Sequence, residues 1–183
     1  MNTYHHGDLR RQLLAQAATI SATIGPESIT LRELARRAGV SHSAPVHHFG
    51  TRQNLLTALA ADGFEALNGA LTEYSDDIHE MGIAYVLWAI GHPGHYAVMW
   101  RPRNLADDNE QLNRLRNRAW ALLSAAVSIS ASSETEVKVG TYAAFAVVHG
   151  LAGIWLGGAL PRPDDPEPLI REIIQQLHFG TGD

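Results

Sequence analysis

Residues Ile29 to Phe49 read ITLRELARRAGVSHSAPVHHF, and the fold is decided there. Thr30-Leu31-Arg32-Glu33 has the form of a capping box: the Thr30 hydroxyl can accept an orphan amide while Glu33 reaches back to the cap. The short helix it opens should stop at Gly39, the residue best suited to a left-handed turn. Ser41 is placed to cap a second helix over about 42–48. Two short helices joined by a three- or four-residue turn containing glycine form a helix-turn-helix. The spacing fits its steric needs. Ala35 lies four residues before Gly39, where a small side chain lets the helices cross closely. Leu34, Ala38 and Val40 are inward apolar positions, and Phe49 closes the core behind the second helix. That helix then offers His42, Ser43, Val46 and His47 to a major groove. Ser41 and the amides after it can receive a phosphate, aided by the helix dipole. Pro45 falls in the first helical turn, where a missing amide is tolerable.

The flanking sequence is helical as well. Leu9, Leu13, Ala17, Ile20 and Ile24 form one apolar stripe on a helix from about 8 to 24, ended by Gly25-Pro26. Thr51 can cap the helix that follows the motif. Further helices are predicted near 52–74, 76–91, 94–100, 108–131, 134–160 and 166–179. Ser133-Glu134-Thr135-Glu136 is a second capping box, and Asp165-Pro166 supplies a cap followed by proline at the first helical position. Strand-like alternation, repeats and low-complexity segments are absent. The expected fold is all-α, about nine helices. The run from Ala143 to Leu160 is nearly all apolar, with His149 and several glycines. It is marginal for a span of roughly 20 residues, and it follows a capping box without a basic flank. A protein core or subunit interface is the better expectation, with no membrane partner.

Composition sets the outer bounds. The chain has 183 residues, 45% of them hydrophobic and 18% charged, which suits one compact domain or a small module fused to a larger one. It has no cysteine, which removes disulfide scaffolds, thiolate zinc sites and cysteine nucleophiles together. The N-terminus shows no cationic start followed by an apolar run, so no signal peptide is predicted and the expected location is the cytoplasm. The formal net charge of −5 hides an asymmetry. Residues 1–52 carry six arginines against three acids, or +3, whereas 53–183 carry eight basic residues against sixteen acids, or −8. The basic end is the candidate for a polyanion.

The segment resembles the N-terminal domain of the TetR family of bacterial transcriptional regulators. The features that match are the preceding amphipathic helix, Leu-Arg-Glu-Leu-Ala-x-x-Ala-Gly-Val-Ser, and a His-His-Phe followed by Thr51-Arg52 opening a long helix. They cover roughly residues 8–60. The remainder is similar to one C-terminal type of that family, through His92-Pro93 with Tyr96 and Met99, and Val148-His149-Gly150-Leu151-Ala152. The chain departs from the family at two places. Val46 stands where a phosphate-binding tyrosine is usual, and Arg52 where lysine is usual. Losing one phosphate contact should weaken binding without abolishing it, and Val46 can instead meet a thymine methyl group.

The resemblance implies a DNA-binding domain over 1–52 and a helical effector-binding and dimerisation domain over 53–183. The protein would be a ligand-responsive repressor in the bacterial cytoplasm or nucleoid, acting as a homodimer on a palindromic operator in double-stranded DNA. The DNA-binding candidates are Thr30, Arg36, Arg37, Ser41, His42, Ser43, Val46, His47, His48, Thr51 and Arg52. The dimer would form through 134–160 and 166–179. Trp88, His92, Tyr96, Met99, Trp100, Trp120, Phe145 and His149 are candidates for a pocket taking an unknown small-molecule effector, each having the plainer reading of a core residue.

No cofactor, metal or catalytic group is expected. Adjacent His47 and His48 point about 100° apart on a helix and rarely share a metal. His79-Glu80 lacks the second histidine of a zinc motif because Ile83 stands there. No Gly-x-Ser-x-Gly elbow occurs. The alternative reading is a helical small-molecule- or metal-binding protein, or an enzyme, without sequence-specific DNA binding.

Overall fold

A computed structural model describes residues 6–159 and 163–177. Among them are nine α-helices and no strand: α1 His6–Ile24, α2 Leu31–Ala38, α3 Ser43–Phe49, α4 Arg52–Thr72, α5 Ile78–Gly91, α6 Pro93–Met99, α7 Glu110–Ser128, α8 Glu134–Leu156 and α9 Glu167–Gln175. The all-α expectation holds, and the helix ends follow local chemistry. Asp77 caps α5, its carboxylate accepting the amides of His79 at 2.9 Å and Glu80 at 3.1 Å. Asn109 caps α7 by accepting the Leu112 amide at 2.8 Å. Asp165 accepts the Glu167 amide at 3.2 Å at the head of α9.

Helix α8 stops four residues short of the expected 160. The amide of Gly158, whose φ is +73°, bonds the Trp155 carbonyl, and the Ala159 amide bonds that of Ile154, so the turn closes back on the helix. Residue 160 and the expected end of α9 at 179 lie outside the described residues.

The chain divides into two compact units. One comprises the residues up to Phe64 together with His92–Asn113. In it α1 packs against α2, α3 and α6, over a core that includes Leu13, Ala17, Ile20, Ile29, Leu34 and Leu55, all fully buried. The closest approach is α6 on α1: a Cβ added at Gly94 would lie 2.0 Å from the Ala18 carbonyl oxygen. The apolar stripe of α1 ends one turn earlier than its spacing predicts. Ile24 is 53% exposed, because the chain turns at Gly25 (φ +86°) and buried Pro26 and Ile29 occupy the core instead.

The other unit comprises Glu65–Gly91 and the chain from Arg114 onward. Here α5 packs against α8 and α9, with Gly82 facing Val148 and Ile174. Arg171 of α9 bonds Glu80 of α5 and Glu167 of its own helix. Buried Thr141, Ala144, Val148, Ala152 and Trp155 mark the packed side of α8. Its opposite side lies outside the chain's own core: Val139, Ala143, Ala146, Gly150 and Gly153 are exposed. α8 is the one described helix long and apolar enough to cross a membrane, by length and composition.

Candidate functional site

The helix-turn-helix forms as its residues dictate. Thr30 adopts extended backbone and its hydroxyl accepts the Glu33 amide at 3.1 Å. The reciprocal half of the capping box is not made. Glu33 instead accepts Arg36 Nε at 2.8 Å, a terminal nitrogen of Arg36 at 2.6 Å, and Arg37 Nε at 2.7 Å. Hydrogen bonds from Arg36, then Arg37, pull the Glu33 carboxyl down to about 2. Two guanidiniums one turn ahead are better partners for a carboxylate than a single amide.

Gly39 takes φ +66°, and its amide returns to the carbonyls of Ala35 and Arg36. Ala35 is fully buried at the crossing, Leu34 is buried, and Ala38 and Val40 are half-buried. Ser41 does not cap α3 with its side chain. His42 occupies the cap, the Ser41 carbonyl accepts the Ala44 amide in a turn, and the Ser41 hydroxyl lies 3.0 Å from that of Ser43.

Helix α3 stands on buried Pro45 and Phe49, and Arg10 of α1 lies over the Phe49 ring at 5.5 Å. What remains on its outer side is Ser41, His42, Ser43, Val46 and His47, all exposed, with Val46 at 50%. His48 is half-buried between the rings of His47 and Phe49. The four residues expected at a major groove therefore share one solvent-facing surface, with Thr30, Arg36 and Thr51 also exposed.

Arg52 is placed differently from an outward phosphate ligand. Its Nε donates to the Ile29 carbonyl at 2.7 Å, a terminal nitrogen donates to that of Pro26 at 2.9 Å, and Glu27 lies 3.7 Å away. Thr51 caps α4 by accepting the Asn54 amide at 3.1 Å.

The eight pocket candidates fall in different units. In the unit with the helix-turn-helix, Trp100 packs edge-on to Phe64 at 5.3 Å, Met99 is buried, and His92 is exposed. Tyr96 is half-buried, and desolvation pushes its hydroxyl up to about 12. His95, weighed in the sequence only as a metal ligand beside His92 and not as a pocket residue, pairs with Asp62 at 3.1 Å, and that contact lowers the Asp62 carboxyl. In the other unit, Trp88 is buried, while Trp120, Phe145 and His149 come together.

The Phe145 and His149 rings stack at 5.0 Å, and Trp120 meets Phe145 at 6.0 Å. Tyr85, which sequence reasoning missed, places its hydroxyl 2.9 Å from His149 Nδ1. Burial holds the His149 imidazole below its ordinary value, which favours the neutral ring, and a single hydrogen joins its Nδ1 to the Tyr85 oxygen. A signal existed for one more member. Tyr142, Phe145 and His149 are spaced three and four, one stripe of α8, and Tyr142 meets Trp120 at 5.0 Å. Among the described residues no group of three or more His, Asp or Glu side chains is gathered for a metal.

Residues 13–59 match the family of bacterial regulatory proteins, tetR family, and residues 78–177 match the tetracyclin repressor-like C-terminal domain. No curated protein sequence matches significantly. A solved structure of a protein with unknown function from Rhodococcus sp. RHA1 is 31% identical, covering 96% of this chain and 94% of that one, with a TM-score of 0.77. The TetR family transcriptional regulator PfmR from Thermus thermophilus is 19% identical over 95% and 97% of the two chains, with a TM-score of 0.72. NalD, the secondary repressor of the MexAB-OprM multidrug efflux pump in Pseudomonas aeruginosa, is 18% identical over 93% and 96%, with a TM-score of 0.58. The last two share the fold.

Proposed function

Because the chain belongs to the TetR family of bacterial regulatory proteins, and so is a DNA-binding transcriptional regulator and not an enzyme, we propose that it represses transcription as a homodimer on a palindromic operator, with a small molecule controlling its release. The observation that carries this reading is the outer face of α3, where His42, Ser43, Val46 and His47 stand exposed on a helix whose other side is fixed by Pro45 and Phe49. Under it, residues 1–52 are the DNA-reading head and 53–183 the effector-binding and dimerising body. His42, Ser43, Val46 and His47 face base edges, while Thr30, Arg36, Arg37, Ser41, His48 and Thr51 lie along the phosphates. Arg52 acts by holding the turn before α2.

Two copies would meet through 134–160 and 166–179. Support comes from the exposed small and apolar stripe Val139, Ala143, Ala146, Gly150 and Gly153 on α8, and from exposed Leu169 on α9. Two heads set by such a dimer would contact half-sites with centres about 34–36 Å, or a multiple of that, apart. His92-Pro93 with Tyr96, and Val148-His149-Gly150, mark the body type, and the Tyr85–His149 pair with Phe145 and Trp120 supplies an aromatic effector site with one polar anchor. The protein would act in the bacterial cytoplasm or nucleoid. Effector can release DNA only by binding more tightly to the body arrangement that is incompatible with the operator.

Footprinting on DNA of the source genome tests the reading. A protected palindrome next to a promoter is expected. Protection without sequence preference would overturn it.

A further inference from the structure

Between α7 and the first half of α8 lies an open cavity of about 540 Å³, walled by Trp120 and Ser124 on one side and by Glu134, Thr135, Lys138 and Tyr142 on the other. That volume lies within the range of small-molecule sites, roughly 300–1,000 Å³. Two features set it apart from an ordinary surface groove. First, the Trp120 and Tyr142 rings meet at 5.0 Å while remaining 38% and 58% exposed, so a broad aromatic surface faces water where a flat ligand would cover it. Second, Lys138 is the chain's one lysine, and Glu134 precedes it by one helical turn. Glutamate four residues before lysine is the favourable arrangement for an ion pair. Neither side chain makes one with any described residue, so a carboxylate and an ammonium both line the cavity with their pairing capacity unused.

We propose that this cavity binds a small aromatic compound carrying both an amine and an acid, the chemistry of an aromatic amino acid. The ring lies against Trp120 and Tyr142, the ligand's carboxylate meets Lys138, and its ammonium meets Glu134. The hydroxyls of Ser124 and Thr135 are available to the remaining polar atoms. The opposed charges select for amphoteric ligands. An aromatic acid alone pairs with Lys138 and leaves Glu134 unanswered, and an aromatic amine alone pairs with Glu134 and leaves Lys138 unanswered, each with a like charge one helical turn from its own. The site goes beyond the effector pocket proposed above, with which it shares Trp120.

Calorimetric titration of the full chain with L-tryptophan, tryptamine and indole-3-acetate at neutral pH and low salt tests the proposal. Saturable binding of one L-tryptophan per chain is expected, about tenfold or more tighter than either singly charged compound. Lys138→Met should cancel the advantage over tryptamine, Glu134→Gln the advantage over indole-3-acetate, and Trp120→Ala should remove binding of all three. Circular dichroism melting of each variant shows whether it is folded, and Lys138→Met and Glu134→Gln change exposed groups only. Absence of saturable binding by L-tryptophan, equal affinities for the three compounds, or folded charge variants that bind like the unaltered chain would each overturn it.

Discussion

Arg52 Nε donates to the carbonyl oxygen of Ile29 at 2.7 Å, across 23 residues of sequence. The same guanidinium holds the Pro26 carbonyl, so the turn that launches α2 is tied to the first residue of α4. Arg52→Ala leaves both carbonyls without that donor and should lower stability by about 1–3 kcal/mol, measured by denaturant unfolding. DNA affinity should fall for all sequences alike, while the slope of log affinity against log salt stays unchanged. A slope reduced by about one would show that Arg52 contacts phosphate directly.

His47→Ala should change which base is preferred at one position of each half-site, with a loss of discrimination of about 1–3 kcal/mol. Val46→Tyr should act in the other way. By adding a hydroxyl beside the phosphates it should strengthen all sequences by about 1 kcal/mol. Affinities for a panel of single-base operator variants separate the two effects.

Gly94→Ala should damage the α1–α6 contact, because the new Cβ would sit 2.0 Å from the Ala18 carbonyl oxygen, which is backbone and has little room to move. The expected cost is about 1–3 kcal/mol or more, read as a lowered Tm, with weakened DNA binding as α1 shifts. Unchanged stability would mean that α6 does not lie this close to α1.

The His149–Tyr85 pair predicts a pH dependence. Burial lowers the His149 pKa from 6.5 in the folded protein, so the unfolded chain binds the proton more readily. Above 6.5 the group is neutral in both states and contributes its full stability. As pH falls below 6.5 toward the lowered folded value, that contribution is lost. Melting between pH 8 and pH 5 should therefore show a steeper acid-side decline for the unaltered chain than for His149→Gln. Equal declines would contradict the assignment.

Ala146→Arg places a cation in the middle of the exposed stripe of α8 and should raise the dimer dissociation constant by about a hundredfold, roughly 3 kcal/mol. Analytical ultracentrifugation reads this directly. A dimer of unchanged strength would move the interface elsewhere.

The helices and the helix-turn-helix were legible because their signals are local. Caps such as Thr30 and Asp165, the left-handed turn at Gly39 and the 3.6-residue spacing of Leu13, Ala17 and Ile20 all act within a turn or two of the chain. The partners that decide roles were not legible. Glu33 was equally able to reach back to its cap or forward to Arg36 and Arg37, and only the geometry selects the second. Arg52 finds its carbonyls more than twenty residues away, Gly94 meets Ala18 on another helix, and Tyr85 finds His149 across α5 and α8. Periodicity shows that α8 is apolar all round. It does not show which side the rest of the chain leaves uncovered.

Selection of bound duplexes from a random library by the purified protein, at near-physiological salt, tests the central claim most directly. The account predicts enrichment of one palindrome whose half-site centres lie about 34–36 Å, or a multiple of that, apart, as two copies of α3 in adjacent major grooves require. Recovery of unenriched DNA, or of a single unrepeated half-site, would contradict it.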